Sequence, residues 1–449
     1  MASAAEQLAA NMNIGAFQKA TDLHKRIWFT LGALLVYRIG CYVPIAGINI
    51  EAYANAFQGQ AGGLLGMFNM FSGGAVSRMA VFTLNVTPYI SASIIVQLLG
   101  TVYPPWEKLR KEGGEAGRKE LNQYTRYLTV VLALFQSFGI AVSLQNSPGL
   151  VVTPGLFFLV STTVALTGGT MFVMWLGEQI TSRGIGNGVS LIIFAGIVAV
   201  LPTSLWQMVE QARVDPSRTG LFAVLIIVAI AVVLFIVFVE RAQRRLLIVY
   251  PKRQQGNRMY GGDTSFLPLK LNTSGVIPPI FASSLLLLPT TALGFMSAEG
   301  LPVWLQWLRD NVLLQLQHGR PAFMVFYAAL IIFFCYFYTS VVFNPDDTAE
   351  NLRKYGGNLP GIRPGKRTAE HIDYVLTRLT TIGAVYITAV CLLPEAITAQ
   401  TGQHSLVFGG TSILIVVSVT MDTVTQIQSH LLAHQYDGLI KKSRLRNKR

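Results

Sequence analysis

Few ionisable side chains in this sequence could do chemistry, and their spacing does not suit it. Arg38, Glu178 and Asp422 lie within or against long apolar runs, where charge is costly and usually functional. Each sits near the end of its run, so reaching toward water or pairing locally accounts for it. The six histidines, His24, His318, His371, His404, His430 and His434, fall in tails and connections. His430 and His434 share a helix face but have no third ligand, so no metal site is expected. Cys41, Cys335 and Cys391 lie in apolar runs without paired spacing and read as inert packing. Gly184, Gly186 and Gly188 in GEQITSRGIGNGVS fit neither the Walker spacing nor a dinucleotide-binding turn, and read instead as a tight helical hairpin. No nucleophile stands beside a base. The chain reads as a non-enzyme without a cofactor.

Hydrogen bonding and apolar contact remain. One segment runs MAVFTLNVTPYISASIIVQLLGTVY from Met79 to Tyr103, placing Asn85, Thr87, Ser91, Ser93 and Gln97 at bilayer depth with Pro88 interrupting the backbone ladder. Such groups would be costly against lipid, so this segment is expected to line an aqueous or protein-filled interior. Ahead of it, GGLLGMFNMFSGGAVSR begins at Gly62. Leu64, Leu65, Met67, Phe68, Met70 and Phe71 make a short apolar helix, too brief to cross, bracketed by Gly62, Gly63, Gly73 and Gly74. Composition leaves two readings open: an interfacial helix on the outer leaflet, or a movable stopper with glycine hinges. Aliphatic residues recur on spans that also carry polar ones: Val86 and Ile90, Val189 and Ile193, Ile280, and Ile415. Their spacing alone does not separate them from ordinary packing.

The elements that must position these residues are membrane spans. The chain is 52% hydrophobic and 13% charged, with a mean hydropathy of +0.47, far more apolar than a soluble domain. Ten runs long enough to cross about 30 Å of hydrocarbon begin near Ile27, Met79, Tyr127, Leu156, Gly188, Thr219, Gly275, Pro321, Leu379 and Leu406. Alternate flanks carry 29 and 4 of the 35 Lys and Arg residues, which places both termini in the cytoplasm. The net charge of +13 is thus mostly topology rather than the mark of a nucleic-acid binder. The first 26 residues lack a basic start with a short apolar core, so the first span is expected to serve as its own targeting signal.

Two cytoplasmic connections, 240–272 and 344–378, are long and basic, and loops of that length usually carry function. In the first, Leu246 to Val249 between basic clusters suggest a hairpin. In the second, Pro360 and Pro364 restrict the backbone around Arg363 and present it on a protruding tip. Contact with anionic lipid is one reading of these loops. Their length favours docking of a large soluble partner, including one made of RNA.

Seven strings, FNMFSGGAVSR, TPYISASIIVQLL, TMFVMWLGEQITSRGIGNGVSLIIFAGIVA, FVERAQRRL, YPKRQQG, FNPDDTAENLRKYGGNLPGIRPG and FGGTSILIVVSVTMD, resemble the bacterial SecY family, the large subunit of a protein-conducting channel. The likeness runs from about Phe17 to Tyr436. It implies an all-α polytopic membrane protein with ten spans in two pseudo-symmetric halves, about 1–210 and 211–449, forming a clamshell channel in the bacterial cytoplasmic (inner) membrane. The resemblance further implies a pore ring of Val86, Ile90, Val189, Ile193, Ile280 and Ile415. Val86 and Val189 stand where the family favours isoleucine, which makes the ring slightly smaller. It implies a plug at about 62–78, with Leu64, Leu65, Met67, Phe68, Asn69, Met70, Phe71 and Arg78, favouring the stopper reading. A lateral gate between spans 2 and 7 would involve Asn85, Thr87, Ser91, Gln97, Ile277 and Ser283. Docking of the ribosome or a SecA motor ATPase would fall to Arg244, Arg245, Lys252, Arg253 and Arg363. SecE-like and SecG-like subunits, a YidC-like insertase, signal peptides, nascent chains and membrane lipid complete the implied partners. The competing reading is a secondary transporter with broken helices, which needs a polar or charged site at mid-depth; the sequence offers none.

Overall fold

Hydrocarbon offers a backbone N–H no partner, so an apolar run that crosses it must satisfy its hydrogen bonds internally, as a helix. In the computed structural model, which describes residues 21–58, 69–111, 113–147, 149–214, 219–250, 253–255, 258–260, 264–295, 320–401 and 410–446, ten helices occupy the ten expected spans. They are Thr21–Gly40, Thr87–Val102, Gly114–Asn146, Leu156–Arg183, Gly188–Val214, Thr219–Arg241, Ile277–Phe295, Pro321–Val342, Lys366–Thr401 and Gly410–Arg446. Short helices Ile50–Gln58, Pro104–Lys111 and Pro345–Tyr355 lie between them. Among the described residues, seven helices are long and apolar enough to cross a membrane, and Thr87–Val102 and Ile277–Leu286 are shorter apolar helices.

The second span departs from expectation. Its helix begins at Thr87 rather than Met79, and the chain from Ser72 to Val86 runs through turns apart from a bridge between Ala80 and Pro44. Met79 (φ 47°) and Asn85 (φ 48°) are left-handed, which no right-handed helix accommodates. Pro88 therefore starts a helix instead of interrupting one: it occupies the first turn, where an N–H would have no intrahelical acceptor. The expected hairpin after the fourth span is present. Gly186 (φ 88°) turns the chain, and a side chain at Gly188 would fall on the carbonyl of Gly177, so glycine is required where these two helices meet.

The chain divides into two units. The first holds the described residues up to Val209 together with 291–295 and Ile415 onward; the second holds Glu210–Thr290 and the described residues from Arg320 to Leu414. In the first, Gly114–Asn146 packs against both Leu156–Arg183 and Thr87–Val102. Arg126 makes a two-pronged bond to Glu178, 2.9 Å at each contact, which gives that intramembrane carboxylate its partner. In the second, Pro321–Val342 packs against Lys366–Thr401, with Tyr336 and Thr381 hydroxyls 2.7 Å apart.

The expected hairpin is also present. Strands β1 (Gln243–Val249) and β4 (Thr264–Lys270) pair antiparallel from Gln243 opposite Lys270 to Val249 opposite Thr264, and β2 (Arg253–Gln255) pairs with β3 (Arg258–Tyr260). Val249 and Asn358 exchange backbone bonds of 2.8 and 2.9 Å, which ties this hairpin to the second long loop. Beneath them Leu246, Leu269, Leu359, Ile372, Val375 and Leu379 form one buried cluster. Together the two loops make a small domain with its own core, because neither could bury its apolar residues alone.

Candidate functional site

The segment from Asn69 to Val86 is held mostly through its main chain. Turns leave carbonyls without ladder partners, and such groups must be satisfied from elsewhere when buried. Tyr37, Arg38 and Cys41 supply donors from before the segment, Cys41 through its thiol to the Ser72 carbonyl at 3.6 Å, and Asn85 supplies one from within it. The Tyr37 hydroxyl donates to the Ser72 carbonyl at 3.2 Å, the Arg38 guanidinium donates to the carbonyl of Gly73, and the Asn85 amide donates to the carbonyl of Phe71 at 2.7 Å. Within the segment, the Asn69 side-chain oxygen accepts from the Ser77 amide at 2.8 Å and the Asn69 carbonyl accepts from the Gly74 amide at 2.8 Å. Gly73 (φ 68°) and Gly74 (φ 84°) supply the left-handed turns. Gly196, on the helix beginning at Gly188, meets this segment so closely that an added Cβ would lie 2.6 Å from the Phe71 carbonyl and 3.1 Å from the Gly73 nitrogen.

An aromatic group completes the clasp. The guanidinium carbons of Arg38 and Arg78 lie 4.7 and 4.1 Å from the Tyr42 ring centroid, and Arg38 also donates to the Tyr42 hydroxyl at 2.8 Å. One ring thus faces two cations, each attracted to its π face. Tyr37 stacks on Phe82 and Phe82 on Phe172, with centroids 6.1 and 5.8 Å apart. Burial pushes the Tyr53 phenol, on Ile50–Gln58, up to about 12, so it stays neutral at physiological pH.

Of the expected stopper residues, Leu64, Leu65, Met67 and Phe68 lie outside the described residues; Asn69, Met70, Phe71 and Arg78 belong to the clasped segment. Among the ring candidates, Val86, Ile90, Ile193 and Ile415 are buried and Val189 is half-buried, all in the first unit; Ile280, half-buried, belongs to the second. Among the gate candidates, Asn85 and Ser91 are buried and Thr87 and Gln97 half-buried in the first unit, while Ile277 is half-buried and Ser283 buried in the second. The Asn85 side-chain oxygen, the Ser91 hydroxyl and the Gln97 side-chain oxygen are buried and find no hydrogen-bond partner among the described residues. Each such group costs about 1–3 kcal/mol, so the packed state is less stable than an apolar surface of the same shape would make it.

On the small domain formed by the two loops Arg244, Arg245 and Arg363 are exposed. Lys252 lies outside the described residues, and for Arg253 the structure gives its backbone pairing with Tyr260. Arg363 sits between Gly361 (φ 79°) and Gly365 (φ 108°), and its carbonyl accepts from the Thr368 hydroxyl at 2.9 Å. The tip is a built turn.

Sequence reasoning missed Tyr37, Tyr42 and Gly196. The i, i+4 spacing of Arg38 and Tyr42 carried a signal for one of them. Nothing local marks Gly196, whose role is tertiary. Arg126, the last cation before the third apolar run, went unrecognised as the partner of Glu178.

Comparison with known proteins bears on all of these features together. The SecY family model matches residues 80–424. Protein translocase subunit SecY of Escherichia coli strain K12 is 52% identical over 432 residues, covering 95% of each chain. The protein of that name from Vibrio cholerae is 51% identical over 95% of this chain and 96% of its own length, and that from Rickettsia bellii 49% over 96% and 98%. Among solved structures, "The structure of a protein conducting channel" aligns with a TM-score of 0.66 at 17% identity, over 92% of this chain and 93% of that one. "Sec61 in the Canine ribosome-channel complex from the endoplasmic reticulum" aligns at 0.63, also at 17% identity, over 92% and 93%. At that identity the two structures speak for the fold, while the family model and the bacterial relatives, with ten helices and a clasped segment already in place, show that this chain belongs to the SecY family.

Proposed function

We propose that this chain is the central channel subunit of a bacterial Sec translocon, conducting unfolded preproteins across the cytoplasmic membrane. Near-full-length identity of about half to Protein translocase subunit SecY of three bacteria carries the reading. The family comprises channel subunits rather than enzymes, so the driving energy comes from a partner. Transmembrane segments leave sideways between spans 2 and 7, and the uncompensated polar groups at Asn85, Ser91 and Gln97 support a seam that opens at low cost. Aliphatic side chains at Val86, Ile90, Val189, Ile193, Ile280 and Ile415 line the constriction. Apolar contact is non-directional, so such a lining conforms to any passing sequence while shedding water.

The clasped Asn69–Val86 segment is the hinge end of the plug. Of one neighbouring solved structure it is said that "The plug domain of the SecY protein stablizes the closed state of the translocation channel and maintains a membrane seal", and the same role is proposed for this chain. Gly196→Ala tests it: a methyl pressed against the Phe71 carbonyl costs on the order of 1–3 kcal/mol and is expected to raise resting ion conductance about tenfold. An unaltered seal would detach Gly196 from closure.

The cytoplasmic domain is the docking platform for the ribosome and for a SecA-type motor, with both termini on the same side; small SecE-like and SecG-like subunits flank the channel, and a YidC-like insertase receives some segments. Reconstitution tests the whole reading. With the small subunits, a SecA-type motor and ATP in liposomes, a signal-bearing preprotein is expected to become protected from external protease only when both motor and this chain are present. Absence of protection with a motor active on another channel would turn attention to small-solute flux.

A further inference from the structure

The docking hairpin and the seventh-span helix are joined by a very short piece of chain. Strand β4 ends at Lys270 and the helix Ile277–Phe295 begins soon after, at Ile277. That connection is organised by one side chain, Asn272, which is 4% exposed. Its amide donates to a Glu240 carboxylate oxygen at 2.7 Å and to the Gly275 carbonyl at 3.2 Å. Its side-chain oxygen accepts from the Ser274 hydroxyl at 3.1 Å and from the Gly275 amide at 3.0 Å. The hydrogen-bonding capacity of a primary amide is thus filled at one corner of the chain.

Glu240 lies on the last turn of Thr219–Arg241, just before β1 begins at Gln243. The bond from Asn272 therefore closes a ring. It runs from the end of one spanning helix, up β1, across to β4, and back down to the start of the next. A second rung, from the Leu271 amide to the Ala242 carbonyl at 3.0 Å, lies beside it, and Gly275 (φ 62°) turns the chain from loop into helix. Gly383 packs against this corner so closely that an added Cβ would lie 2.9 Å from the Leu271 carbonyl. A strand pair bonded along its length moves as a unit, and a short, fully bonded corner passes that motion on. A connection of the same length without these bonds would absorb it.

We propose that Asn272 is a positioning residue that transmits partner docking on the cytoplasmic hairpin to the Ile277–Phe295 helix. The proposal rests on the docking-platform reading. It adds that transmission runs through the Asn272–Glu240 bond, and that platform and helix remain individually intact when this bond is broken. The bond is charge-assisted, which makes it the strongest of the four at the corner.

Exchanging the two partners tests this in the full chain assembled with its small subunits in liposomes. Asn272→Asp keeps the acceptor for Ser274 and Gly275 but sets a second carboxylate against Glu240. With a SecA-type motor, preprotein protection is expected to slow about tenfold, while motor affinity stays within about twofold because the docking arginines are untouched. Adding Glu240→Gln returns a donor to the pair with the direction of the bond reversed, and is expected to restore the rate to within about threefold of wild type. Full speed in the single variant, or a double variant as slow as the single, overturns the proposal. So does a fall in affinity parallel to the fall in rate, which would make Asn272 part of the platform's shape. Failure of the wild-type chain to bind the motor would instead strike the platform reading. If Asn272→Asp does not accumulate in membranes, Asn272→Ser, which removes the donor to Glu240, is scored by the same criteria.

Discussion

Channels carrying Arg38→Met together with Asn85→Gly are expected to leak ions at rest about a hundredfold more than wild type. Met keeps most of the arginine stem but cannot donate to the Gly73 carbonyl. Gly tolerates the left-handed backbone of position 85 without strain and removes the donor to Phe71. Each deletion strands a carbonyl in a protein interior, at about 1–3 kcal/mol apiece, and about 1.4 kcal/mol is a factor of ten in the open population. The Tyr37 hydroxyl and the Cys41 thiol remain as grips on the Ser72 carbonyl. Because both donors act on adjacent stretches of one segment, the double variant is expected to exceed the product of the singles: the first loss is buffered by the second grip. Planar-bilayer conductance in the absence of motor and substrate reads the effect directly. A double variant as tight as wild type would mean that closure does not depend on this clasp.

Arg363→Glu is expected to cut motor-driven preprotein protection at least about tenfold, the scale at which reversing one charge of a docked pair is felt. The backbone of the tip does not rely on that side chain. Gly361 and Gly365 make its turns, Thr368 bonds its carbonyl, and Leu359 and Ile362 anchor it in the core of the loop domain. The variant should therefore insert and assemble normally, so a loss reports on the partner contact. Lowering ionic strength is expected to widen the gap between variant and wild type, since exposed charges act over a longer range in dilute salt. Unchanged export at low salt would remove this loop from the mechanism.

Ten spans were legible because each is a long apolar run whose flanking cations alternate, and both signals come from the bilayer rather than from tertiary structure. The hairpin that follows Glu240 was legible for a similar local reason: Leu246 to Val249 stand between basic clusters that could not be buried. The start of the second helix was not. Hydropathy continues without a break from Met79 through Val86, and only the left-handed backbone at Met79 and Asn85, imposed by what surrounds them, stops the helix there. Arg38 and Glu178 were visible as costly charges, yet their partners are a backbone carbonyl and a cation 52 positions away. No window of sequence contains either pair. Asn272 was invisible for a related reason: its neighbours in sequence show a loop, while its importance lies in a carboxylate 32 positions earlier.

Tyr37, Arg38 and Asn85 all take hold of main-chain oxygens, at Ser72, Gly73 and Phe71. Every amino acid carries that oxygen, so a grip of this kind does not read which residue it holds. The side chain at Phe71 can be exchanged over evolutionary time, or by an engineer adding a reporter group, without loosening these main-chain fastenings, whereas the residues doing the holding have no such freedom, nor does Ser72, whose buried hydroxyl donates to the Asn69 carbonyl and accepts from the Val76 amide.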